Sequence, residues 1–127
     1  WVRGQGYKVG LLSNTMFTGR AHIRDLKRFG LASYFDAMLF SADAGKWKPT
    51  PDPFLHVVGE LGVAPQTAVY IGDDPRSDIA GGQSAGLRTI HIRSSQRFEY
   101  PPDLQPDATI HTLAELPAVL ETWSNGA

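Results

Sequence analysis

Short apolar runs alternate with helix-length stretches along this whole sequence, and that alternation leaves few folds open. Lys8-Val9-Gly10-Leu11-Leu12-Ser13, Ala37-Met38-Leu39-Phe40, Ala68-Val69-Tyr70-Ile71 and Arg88-Thr89-Ile90-His91-Ile92 are each of strand length and apolar enough to be buried on both faces. Between them lie stretches with helix signals. One runs from about Arg20 to Phe29, with Ile23, Leu26 and Phe29 along one face and Gly30 as its stop. A second begins near Asp52-Pro53 and ends at Gly62. A third covers Asp78 to Ala85, where Gly81 and Gly82 predict close packing on a sheet. Ala108-Thr109-Ile110 reads as a short edge strand, and a last helix with Pro117 near its start runs to about Trp123. Loops are expected from Ser41 to Pro51 and from Ser94 to Pro106. Strand–helix alternation with short connections predicts an α/β fold with a doubly wound parallel sheet, in one domain over 1–127.

The bulk numbers exclude several functions. A net charge of -1 gives no electrostatic draw toward nucleic acid or an anionic membrane. With no cysteine, there is neither a disulfide framework nor a thiolate metal site. No apolar run reaches the roughly 18 residues a membrane-spanning helix needs, and a cytoplasmic setting is the expectation. Trp1 to Tyr7 reads as the last turn of a helix closed by Gly6, which predicts that a segment precedes it.

Open α/β sheets bind ligands beyond the carboxyl ends of their strands. Those ends carry Ser13-Asn14-Thr15, then Asp43 to Lys48, then Asp73-Asp74 with Asp78. Ser13, the backbone N–H groups after it and Lys48 offer a phosphate its donors and positive charge. The carboxylates offer hard oxygens to Mg²⁺, which keeps several waters and needs only one or two of them.

These residues, in this order, resemble the motifs of the haloacid dehalogenase-like hydrolase superfamily. Val9-Gly10-Leu11-Leu12-Ser13-Asn14-Thr15 is similar to its second motif, a hydrophobic strand ending in Ser or Thr. Tyr34-Phe35-Asp36, Ser41 to Gly45, Lys48-Pro49-Thr50-Pro51 and Phe54 resemble its third-motif region. Val69-Tyr70-Ile71-Gly72-Asp73-Asp74-Pro75-Arg76-Ser77-Asp78 resembles the fourth, with Ala85-Gly86-Leu87-Arg88-Thr89 as its usual continuation. The resemblance implies a Rossmann-like core and hydrolysis of a small phosphorylated metabolite through an aspartyl-phosphate. It also implies roles for residues: Lys48 on phosphate and nucleophile, Ser13 and Asn14 on phosphate, and Asp73 and Asp78 on Mg²⁺, with Asp74 a further candidate.

Two departures stand out. The family's first motif, Asp-x-Asp, supplies nucleophile, general acid/base and a metal ligand, yet no two Asp residues of this chain are separated by one residue. The core is therefore expected to be incomplete at its N-terminal side, inactive alone, and prone to self-association through an exposed sheet edge. Thr50 stands where the family often has Asp. Only 34 residues separate Ser13 from Lys48, too few for a large cap domain there.

Other readings compete. A carbon–halogen hydrolase is a minority member of the same superfamily, and a non-catalytic remnant binding metal, phosphate or a partner is a third outcome. A phosphorylatable receiver domain would place its acidic pair before its Lys-Pro, the reverse of the order here. No G-x-G-x-x-G follows the first strand, against a dinucleotide site. His22, His56, His91 and His111 lack metal-ligand pairing, Tyr34, Phe35, Phe40, Trp47 and Phe54 read as packing, and Lys46 and Arg76 as solvated charges.

Overall fold

A computed structural model describes residues 1–16, 19–93 and 103–126. Strands β1 (Gly10–Ser13) and β2 (Ala37–Phe40) pair in parallel, with Leu12 opposite Leu39. Strands β3 (Val69–Gly72), β4 (Arg88–Ile92) and β5 (Ala108–Ile110) form a second parallel sheet in that order. The doubly wound α/β class is as the sequence predicts, but the single sheet is divided. β1 and β3 face each other without pairing, so each keeps one free edge.

Helices cover both faces. α1 (Gly19–Arg28) lies beside β2, its Ile23 and the strand's Met38 lining one shallow hollow. α3 (Pro51–Leu61) packs on β1 and β2, and α4 (Gly81–Ser84) packs on α3 and β4. Pro51 sits in the first turn of α3, where its missing N–H costs nothing, and Gly62 closes the helix at φ 71°. Phe54 of α3 anchors the first core, 1% exposed and edge-to-face on Tyr70 at 4.8 Å between ring centroids. A Cβ on Gly81 would press into the Phe54 ring and one on Gly82 into Thr89, so both glycines are where a helix comes close to its neighbours. On the opposite face α5 (Leu116–Gly126) buries Leu116 and Leu120 against Ile90 and Ile110, with Val2, Val69 and Ile71 beside them.

Two local departures from expectation stand beside one feature that agrees with it. The segment Ser41 to Pro51 is not all loop: Ser41–Ala44 forms one helical turn, α2, ended by Gly45 at φ 65°. Before α4, Pro75–Ala80 winds as a wider π turn, in which the Ile79 N–H reaches the Asp74 carbonyl. Near the start, Arg3–Gln5 is a 3₁₀ turn ending at Gly6, and Arg3 pairs with Asp36 at 2.8 Å. The Val9 N–H and the Arg3 guanidinium together hold the Asp36 carboxyl below its ordinary value. Of the loop expected over Ser94 to Pro106, positions 94–102 lie outside the described residues. Among the described residues, no helix is long and apolar enough to cross a membrane.

Candidate active site

Lys48 is the centre of a bonded network at the carboxyl ends of β1 and β3. Its side chain is 11% exposed, and its ammonium donates to Asp78 Oδ1 at 2.5 Å and to the Tyr70 hydroxyl at 3.1 Å. Burial works to lower the Lys48 ammonium, but the Tyr70 hydroxyl and the Asp78 carboxylate prevail and hold it above the ordinary lysine value. Tyr70 is itself pushed up to about 12, chiefly by burial, so its hydroxyl keeps its proton and donates to the Leu12 carbonyl at 3.0 Å. Nothing in the motif pattern marked Tyr70. The available signal was a phenol within an otherwise aliphatic buried strand, whose polar tip needs a partner.

Asn14 clamps the lysine loop from the other side. Its Oδ1 accepts the Lys48 N–H at 3.0 Å and its Nδ2 donates to the Lys48 carbonyl at 3.2 Å. The amide expected on phosphate also places Lys48, and Ser13, half-buried at the end of β1, stands next to it at the rim. Thr15 is tied down in turn: its N–H donates to Ser41 Oγ at 2.7 Å and its hydroxyl accepts the Ala42 N–H at 3.4 Å. Asp43 accepts the Gly19 N–H at 2.6 Å and so anchors the start of α1, away from Lys48.

The three carboxylates after β3 have three tasks. Asp74, not Asp78, caps the turn that follows, accepting the N–H groups of Arg76 and Ser77. Asp78 is buried with both oxygens engaged, Oδ1 on Lys48 and Oδ2 on the Asp74 N–H at 3.0 Å. The resemblance gives Asp78 a metal role, and in this structure both of its oxygens have protein partners. Asp73 is exposed, and its carboxylate has no protein partner among the described residues. The buried His91 fixes its backbone, with Nε2 3.0 Å from the Asp73 carbonyl.

No group of three metal-ligating side chains converges among the described residues. The donor set present is one open carboxylate, Asp73, at a rigid strand end. It fits a hard divalent ion that retains most of its water and does not fit an ion caged by protein.

Gly72 is forced by this arrangement, since a Cβ there would overlap the Asp78 carboxylate. Gly72→Ala is expected to cost about 1–3 kcal/mol, the range for overpacking a filled site. Gly59→Ala, in an interior position of α3 with open space around it, should instead stabilise by up to about 1 kcal/mol. Urea midpoints of the two variants moving in opposite directions would bear this out; equal midpoints would contradict it.

The family model for haloacid dehalogenase-like hydrolase matches residues 1–92. The chain belongs to the haloacid dehalogenase-like hydrolases. Phosphoserine phosphatase of Thermus thermophilus is 33% identical to it over 120 residues, 91% of this chain and 45% of that enzyme. A haloacid dehalogenase-like phosphatase from Thermococcus onnurineus has the same fold, with TM-score 0.81 and 33% identity, over 94% of this chain and 53% of that one. A 2-haloacid dehalogenase from Pseudomonas syringae aligns with TM-score 0.78 and 38% identity, over 92% of this chain and 47% of that one. The chain spans about half the length of each of these three relatives. Within this haloacid dehalogenase-like core, Ser13, Lys48 and Asp73 stand on one rim in the order the family motifs follow.

Proposed function

We propose that this chain is the phosphate- and metal-handling part of a Mg²⁺-dependent phosphomonoester hydrolase of the cytoplasm, acting on a small phosphorylated metabolite. The observation that carries the reading is the placement of Lys48: a buried ammonium fixed by Asn14, Tyr70 and Asp78 between the Ser13 and Asp73 strand ends. Such a charge, held without freedom to reorganise, stabilises the oxygens of a phosphoryl group in transfer. The Ser13 hydroxyl donates to a phosphate oxygen, and Asp73 holds the ion that offsets the remaining charge. Mg²⁺, when bound, supplies electrostatic stabilisation to the phosphoryl oxygens.

The nucleophile belongs to a segment outside these 127 residues. Its carboxylate oxygen forms the bond to phosphorus as the ester oxygen leaves and takes a proton, and water then hydrolyses the aspartyl-phosphate. The test is a complete protein carrying this chain, assayed with 4-nitrophenyl phosphate with and without Mg²⁺. Mg²⁺-dependent release supports the reading, and its absence removes it.

The likeness to a named 2-haloacid dehalogenase favours one second reading, hydrolysis of a carbon–halogen bond at the same rim. Halide release from 2-chloropropionate without phosphate-ester hydrolysis would select it.

A further inference from the structure

Asp73 carries an open carboxylate that no side chain or N–H among the described residues holds. A ligand without such support takes its direction from its backbone, so the groups that fix that backbone decide where its oxygens point. Asp73 follows directly on β3, whose last residue, Gly72, lies opposite His91 in the parallel ladder. The peptide group that leaves Asp73 is then held at both of its polar ends. Its carbonyl oxygen, that of Asp73, lies 3.0 Å from His91 Nε2, and its N–H, that of Asp74, donates to Asp78 Oδ2 at 3.0 Å. A carbonyl only accepts, so His91 Nε2 carries the proton of this bond. The ladder fixes the peptide before Asp73 and these two bonds fix the planar peptide after it. Both backbone dihedrals of Asp73 are thereby set, and with them the direction of its Cβ.

The two clamps differ in origin. Asp78 is tied to the Lys48 ammonium, so its clamp belongs to the lysine network. His91 comes from β4, the neighbour of β3 in its own sheet. It is 3% exposed and stands between Ile90 and Ile92 in a strand with helices on both faces. Strands buried in this way are aliphatic as a rule, because a buried polar ring costs free energy unless it is bonded. Val or Ile would continue the ladder here equally well, so strand pairing does not explain the imidazole. What the ring adds is a donor for the first carbonyl beyond the end of β3, the one that belongs to the open carboxylate.

We propose that His91 is a positioning residue for the divalent-ion site: its Nε2–H holds the Asp73 peptide so that the carboxylate is aimed before the ion arrives. The inference rests on the reading of Asp73 as the residue that holds Mg²⁺. A group of this kind acts on affinity more than on chemistry, since it removes the cost of ordering the ligand when the ion binds.

The test uses the complete protein without substrate, with Mn²⁺ as the probe and its electron paramagnetic resonance as the readout. His91→Leu removes the donor and keeps an apolar side chain of similar bulk, and it should weaken Mn²⁺ binding by about 10–100-fold. His91→Gln carries an N–H to nearly the same place and should restore most of the loss. Should His91→Leu not fold, His91→Asn takes its place, since its shorter amide stops short of the Asp73 carbonyl. In turnover of 4-nitrophenyl phosphate, the same variants should shift the Mg²⁺ concentration for half-maximal rate by the same factor, with the rate at saturating Mg²⁺ little changed. A lower melting temperature with unchanged Mn²⁺ affinity would make His91 a part of the fold only and overturn the proposal. So would His91→Gln binding as weakly as His91→Leu. Asp73→Asn separates this inference from the reading beneath it. If Asp73→Asn abolishes Mn²⁺ binding while His91→Leu leaves it intact, the inference falls alone. If Asp73→Asn leaves Mn²⁺ affinity unchanged, the metal assignment falls and this inference with it.

Discussion

The purified 127-residue chain is expected to release no burst of product from an aryl phosphate in the presence of Mg²⁺. A burst requires a nucleophile that forms a covalent intermediate faster than it is hydrolysed. Every candidate on the rim except Asp73 is disqualified by what it already holds, and Asp73 is the carboxylate given to the ion in the proposed function. Asp78 is the carboxylate nearest Lys48, but it is buried with one oxygen on the ammonium and the other on the Asp74 N–H. Asp74 is spent on the turn it caps, and Asp43 on the start of α1. Thr15 is buried and bonded to α2. Among the described residues no bond joins the Ser13 hydroxyl to a base that would activate it, and the lysine held by Asn14 is kept protonated. Losing a nucleophile costs about 10⁶-fold in kcat in a well-studied hydrolase, which would leave nothing above background here. Stopped-flow absorbance at enzyme concentrations near that of the substrate measures it directly. A stoichiometric burst would show that a residue of this chain serves as nucleophile after all.

The parts of the fold visible in the sequence are those set by neighbours a few residues apart. β2, β4 and β5 lie where apolar runs of strand length predict them, and Gly30, Gly62 and Gly6 end their helical segments as isolated signals would have it. The candidate site was legible as a set of strand ends, because in a parallel sheet every carboxyl end faces the same rim. What each side chain does there was not. Asp74 and Asp78 both stand near the start of a helical segment, and local rules favour either as the cap. The choice goes to Asp74 because Lys48, thirty residues away in the chain, claims Asp78 across the sheet. Likewise Asn14 reads as a turn former or a phosphate donor until its distance from the Lys48 backbone is known. The free strand edges are what a core lacking its first-motif strand predicts; that they fall on β1 and β3 was not legible, since runs of strand length say nothing about which edges meet.

The last expectation separates metal binding from folding, and it applies to the complete enzyme. Asp73→Asn keeps the shape of the side chain and removes the charge facing a divalent ion. Because the Asp73 carboxylate supports no other residue among those described, the fold should be unaffected and its melting temperature unchanged within about 2 °C. Turnover should fall by more than the roughly 10–100-fold typical of groups that only hold a ligand in place, and its Mg²⁺ dependence should move to much higher concentration. Asp78→Asn should do the opposite in kind. It leaves a buried lysine ammonium without its counter-charge and weakens the bond to the Asp74 N–H, the situation in which breaking a buried pair costs about 3–5 kcal/mol. In a domain this size that lowers the melting temperature by on the order of 10 °C. Activity falls with it, because Lys48 loses its position. Asp74→Asn should change both least, since an amide oxygen caps the turn nearly as well as a carboxylate. Calorimetry and Mg²⁺ titration of turnover, run on all three variants, give the two readouts. If Asp73→Asn melted lower than Asp78→Asn, or if Asp74→Asn shifted the Mg²⁺ dependence most, the open carboxylate of this rim would have been assigned to the wrong residue.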